Sequence, residues 1–215
     1  MTSTRDDSTR APSSERPAPV GVLVGFGGDP LTVGLIFFGI ASVALGMALI
    51  GMPTTAQGAV IPIIVLGSGL YQLVVTIWAA ILGQSIVAVI FSTFSAFWLS
   101  FSALLLGLDH GWFGISAAEV TGAQELFFIA WACLFLFLII PCLKLPLVYP
   151  LAVALVFAAV SLAAIGAFTG SPNVLTAAGA VALTFAFLAF YAWVNVALVA
   201  MGGKAIPPLG KPPIP

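Results

Sequence analysis

From Pro30 through Leu108 the chain runs for 79 residues without one Asp, Glu, Lys or Arg. A single bilayer span uses about 20 apolar residues, so this stretch must hold several transmembrane helices and the turns between them. The full chain of 215 residues is 61% apolar and 6% charged, against about 25% charged in an ordinary soluble domain. Thirteen formal charges (six Lys/Arg, seven Asp/Glu) cannot clothe a soluble globule of this size. A soluble enzyme is excluded, and so is a nucleic-acid binder, because six dispersed basic residues leave no phosphate footprint. The chain reads as an all-α integral membrane protein.

Turn signals divide the apolar sequence into six spans. Gly51–Gly58 and Gly83-Gln84-Ser85 break the first run, which predicts helices over about 31–51, 60–82 and 85–108. Residues 109–124, with Asp109, His110, Glu119 and several glycines, read as a loop. Further helices are predicted over about 125–143, 147–168 and 174–201, separated by Lys144–Pro146 and by Gly170-Ser171-Pro172-Asn173. Residues 1–28 open with a Ser/Thr/Pro-rich stretch of both charge signs, expected to be a disordered tail without a cleaved signal peptide, followed by a connecting segment. The membrane domain is then 29–203, and 204–215 form a Pro-rich tail.

An even number of spans puts both termini on one side with the 2–3 and 4–5 connections. That side carries all six Lys/Arg, whereas the other carries Asp109, His110, Glu119 and Glu125 and no base. The positive-inside rule therefore predicts cytoplasmic termini in a multi-pass protein of the plasma (inner) membrane.

No ionisable residue falls inside a predicted span, which argues against a proton relay or a carboxylate-ringed cation channel. The polar residues that remain are mild. Gln72, Ser92, Thr93, Tyr191 and Asn195 are the candidates for lining a polar path, with interhelical hydrogen bonding as their alternative role. Asp29 is expected to cap the first helix, His110 to be a solvated loop residue, and Cys133 and Cys142 to be buried structural thiols. No catalytic set, metal cluster or phosphate loop reads from the chain, so neither an enzyme nor a cofactor is expected.

The order of motifs resembles the acetate uptake transporter family, or succinate–acetate permeases. Asp29-Pro30-Leu31-Thr32-Val33-Gly34-Leu35-Ile36-Phe37-Phe38-Gly39 sits at the family's distance from Gly67-Ser68-Gly69-Leu70-Tyr71-Gln72. Pro17-Ala18-Pro19-Val20-Gly21 matches the opening signature better by letters but lies too early. Phe91–Trp98, Trp131, Leu143-Lys144, Ala164-Ile165-Gly166, Gly179, Tyr191 and Pro208-Leu209-Gly210 continue the resemblance to the C-terminal tail.

This resemblance implies a six-helix, urea-channel-like bundle of three helical hairpins, with a pathway in each protomer of a homo-hexamer. It implies movement of acetate, succinate or other short monocarboxylates, commonly by proton symport. Carried over by motif, the family's constriction falls on Phe38, Phe94 and Val156. These lie 8, 9 and 9 positions beyond Pro30, Ser85 and Leu147, so they share a depth of about 12–14 Å, near the middle of a hydrocarbon core about 30 Å thick. Three apolar side chains at one height could form a dewetting gate. The chain departs from the family pattern at Phe94, where a Tyr is usual, at Val156 for Leu, and at Ala79 for Glu. Two other functions stay open at this point: a passive channel for a neutral solute such as urea, and a membrane scaffold without transport.

Overall fold

The computed structural model describes residues 28–52 and 57–214. The expected N-terminal tail, most of the connecting segment, and Pro53–Ala56 of the first turn lie outside the described residues. Within them are six helices long and apolar enough to cross a membrane: α1 Leu31–Leu49, α2 Val60–Ile81, α3 Ser85–His110, α4 Val120–Cys142, α5 Val148–Thr169 and α6 Pro172–Ala200.

The helix ends follow local chemistry. The Asp29 carboxylate accepts a hydrogen bond from the Leu31 amide at 2.9 Å, satisfying one of the donors that every helix start leaves free. Helix α1 stops two residues before the expected end and α6 starts two residues early, and two further boundaries differ for reasons the local geometry shows. Helix α3 runs two residues further, to the exposed His110, and stops where Gly111 turns left-handed (φ 70°). Helix α4 begins five residues early because Glu119, the last residue of a short turn Ala117–Glu119, folds back on Ser116. Its carboxylate accepts from the Ser116 amide at 2.9 Å and from Ser116 Oγ at 2.6 Å, the reach-back of a capping box. In α2, residues Val65–Gly69 widen into a π-helical turn. The turn's Gly69 carbonyl accepts a 2.8 Å hydrogen bond from Ser95 Oγ on α3, so the irregularity is satisfied by a neighbouring helix, as the bilayer requires.

Helices α2 and α3, α4 and α5, and α5 and α6 pack side by side, while α1 returns against α6 in the most extensive contact. Three antiparallel pairs, α2–α3, α4–α5 and α6–α1, are joined by α1 against α2, by α5 against α6 and, more thinly, by α3 against α4. Small residues let α1 and α6 touch: a Cβ on Gly46 would lie 3.0 Å from the Gly179 carbonyl. Between α3 and α4 large rings hold the backbones apart. Phe97 meets Trp131 edge-on at 5.3 Å and Phe135 at 5.7 Å between ring centroids. Cys142 is buried, whereas Cys133, expected inside, lies exposed on the outer face of α4, where a greasy surface accepts a thiol as readily as a core does.

The C-terminal tail is pinned to the same end of the bundle as the α4–α5 turn. Asn195 Nδ2 donates to the Pro207 carbonyl at 2.6 Å, and the Tyr191 hydroxyl donates to that of Pro208 at 2.7 Å. The Val148 amide donates to Leu209 O, and the Ile214 amide to Leu143 O. Gly210 turns left-handed (φ 80°) as the tail crosses α5, and a Cβ there would meet Leu147 Cβ at 2.8 Å. Losing one such anchor costs about 1 kcal/mol. Asn195→Ala is therefore expected to loosen the tail enough to speed tryptic cleavage after Lys204 about fivefold. Limited proteolysis timed against wild type checks this.

Candidate functional site: an apolar constriction between two cavities

Phe38, Phe94 and Val156 sit seven, nine and eight residues beyond the first residues of α1, α3 and α5, at depths of about 11–14 Å. All three are buried, and the rings of Phe38 and Phe94 lie in contact with centroids 4.4 Å apart. Phe185 of α6 backs Phe38 at 5.7 Å and Phe135 of α4 backs Phe94 at 5.4 Å. The candidate constriction is therefore a ring pair braced by two further aromatics.

A cavity lies on each side of this pair, and Phe38 and Phe94 border both. Toward the basic end is a cavity of about 80 Å³, walled by Leu31, Leu35, Phe91, Leu145, Tyr149, Val153 and their neighbours. Toward the acidic end is one of about 10 Å³, walled by Leu45, Leu49, Trp98, Phe128, Val160 and Phe185 among others, with Val156 on its wall. A water needs roughly 10–15 Å³ measured in this way. The smaller cavity thus holds one water at most, and the larger has room for a small solute. No charged residue lines either one. Leu209 of the tail packs in the cluster that includes Leu31, Leu35, Phe91 and Tyr149, so the tail braces the wall of the larger cavity.

The five polar residues singled out in the sequence stand elsewhere. Tyr191 and Asn195 hold the tail. Gln72 is fully buried on α2, where its Nε2 donates to Ser68 Oγ at 2.7 Å one turn earlier. Ser92 Oγ bonds its own helix at Val89 O, and Thr93 is half-buried beside it. None of the five lines either cavity. The physical reason is that membrane helices supply partners for hydroxyls and amides from their own or adjacent backbone, so a polar side chain need not face a passage.

The sequence assigns no place at the constriction to Phe135 or Phe185, and Trp98 stands in it only as the end of a motif. Phe128, Phe135, Leu138 and Cys142, the buried residues of α4, follow a seven-three-four spacing that marks one helix face. That stripe was countable, but in so apolar a helix the lipid-facing side is equally greasy and hides it.

The profile of the GPR1/FUN34/yaaH family matches residues 21–202. Among solved structures the chain shares the fold of the bacterial acetate channel SatP, with a TM-score of 0.77 at 22% sequence identity, over 86% of this chain and 99% of that one. Among curated proteins it is 29% identical to ammonia transport outward protein 2 and 28% identical to accumulation of dyads protein 2, both of Saccharomyces cerevisiae. Each alignment spans 186 residues and covers 81% of this chain and 62% of the relative, so the chain spans about three fifths of the length of these yeast proteins. With its profile matched over most of the sequence, this chain belongs to the GPR1/FUN34/yaaH family.

Proposed function

We propose that the protein moves acetate and related short carboxylates across the membrane, and that the solute passes the constriction as the undissociated acid, together with its proton. One observation carries this reading: the contact of Phe38 with Phe94 at 4.4 Å divides two cavities that have no charged residue on their walls. A bare carboxylate in such surroundings bears a Born cost of order 20 kcal/mol before relaxation. Protonation removes most of it, and the outcome is net proton symport without an ionisable side chain to relay the proton. The likeness to SatP, an acetate channel, supports this choice of solute. The ammonia in the name of the first yeast relative supports a second: un-ionised ammonia is as small and as neutral, and meets the same barrier. In the reading we favour, the basic end faces the cytoplasm, and six copies assemble with one passage each.

The pH dependence has a definite sign. A short alkyl acid titrates near the Glu side chain, at about 4.3, so each unit of pH above that lowers the undissociated share about tenfold. At fixed total acetate, initial uptake into vesicles holding the purified full chain should fall about tenfold from pH 5.5 to 6.5. At fixed undissociated acid it should hold constant. A rate that follows total anion in both series overturns the neutral-acid route.

A further inference from the structure

Three buried side-chain polar atoms lack a hydrogen-bond partner among the described residues: Gln72 Oε1, Trp78 Nε1 and Trp98 Nε1. Of the three, Trp98 alone lines either of the two cavities described above, the smaller one, and it is the one residue on that wall with a polar side-chain atom. Trp98 is 1% exposed. Its indole stands edge-on to Phe97 at 4.9 Å, one turn beyond Phe94 on the same helix. The two buried hydroxyls nearest along α3 are already directed elsewhere: Ser95 Oγ donates to Gly69 O, and Ser102 Oγ donates to the Trp98 carbonyl.

A buried N–H left without an acceptor costs about 1–3 kcal/mol, and nothing in the packing of an indole requires that cost. A phenylalanine fills most of the same space without it. An indole is also a donor only. In a lining otherwise made of hydrocarbon, such a donor would stabilise only a solute that brings an acceptor, just past the ring pair, where a carboxylic acid that has shed its water has no other partner for its carbonyl oxygen.

We propose that Trp98 is a specificity-determining residue of the passage, whose indole N–H is the hydrogen-bond donor for the carbonyl oxygen of an acid emerging from between Phe38 and Phe94. The site ranks solutes that accept a hydrogen bond above those that cannot, and it gives nothing to ammonium, which carries donors alone. This assignment rests on the acetate reading above.

The test separates the N–H from the bulk of the ring. Trp98 is replaced by Phe in one variant and, in a second, by 3-benzothienylalanine, which keeps the bicyclic shape and puts sulfur in place of the N–H. Initial acetate uptake into vesicles at pH 5.5 is expected to fall about tenfold in both, with the thermal midpoint of the benzothienyl variant at or above that of wild type, because the unpartnered N–H is gone. A benzothienyl variant that transports at the wild-type rate overturns the proposal, because the ring would then act by packing alone. A measurement on the unaltered protein stands beside this. With 15N-labelled indoles, the Trp98 Nε1–H resonance (assigned by its loss in the Phe variant) should move downfield as acetic acid is added at pH 5. A resonance that stays still overturns the proposal. If the unaltered protein moves no acetate at all, the acetate reading itself fails, and the resonance reports whether the donor meets an acid regardless.

Discussion

Vesicles carrying Phe94→Ala should pass four-carbon acids at a rate much closer to that of acetate than wild-type vesicles do, with the butyrate-to-acetate flux ratio rising about tenfold. Phe94 touches Phe38 at 4.4 Å and Phe135 at 5.4 Å, and it borders both cavities. Deleting the ring removes the partition, so cavities of about 10 and 80 Å³ join into one. Apolar constrictions hold back water and ions because filling so narrow a greasy space with water is unfavourable, and that resistance falls as the space widens. Background leak of protons and anions should therefore rise as well. The substitution has a cost in stability, since Phe→Ala in a packed interior loses about 3–5 kcal/mol. For that reason the ratio of two fluxes is the useful readout: it does not depend on how much protein folds. An unchanged ratio would remove Phe94 from the barrier.

What could be read beforehand, and what could not, has a common physical origin. Charge-free runs and their glycine and proline interruptions located six helices, because the bilayer punishes every charge and every unsatisfied backbone group. The same rule makes polar side chains poor guides. Asn195, read as a possible path lining, instead holds the Pro207 carbonyl of the tail; the sequence shows an amide in a helix but not the length of tail that returns to meet it. Ser116-Ala117-Ala118-Glu119 has the spacing of a capping box, a local signal for the start of α4 inside a stretch whose charges and glycines otherwise read as loop. Phe38, Phe94 and Val156 came from a family resemblance together with equal depth along three helices. The structure adds what neither supplied: that Phe38 and Phe94 touch, that Phe185 and Phe135 brace them, and that a cavity opens on each side.

Gly179→Ala is expected to lower stability by about 1–3 kcal/mol, the cost of forcing atoms into a packed interface, and Gly179→Leu to prevent recovery of folded protein. A Cβ at position 179 would stand 2.7 Å from the Gly46 carbonyl, 2.6 Å from Ile50 Cγ2 and 3.0 Å from the Ile50 amide nitrogen. Two of those three atoms are backbone, which cannot rotate aside as a side chain can, so the helices themselves must separate. Gly122, also helical but with nothing within 4 Å of its Cβ position, is the matched comparison: Ala there should be neutral or stabilise by up to about 1 kcal/mol, since alanine is the better helix former. Thermal unfolding of the purified protein in detergent reads both, at about 2–4 °C per kcal/mol for a chain of this length. The consequence reaches the constriction, because α1 carries Phe38 and α6 carries Phe185 behind it. A wedge between these two helices displaces Phe38 from its packing between Phe94 and Phe185, and the Ala variant that does fold should leak. If Gly179→Ala unfolds at the wild-type midpoint and stays tight, the close α1–α6 seam is not what sets the ring pair in contact.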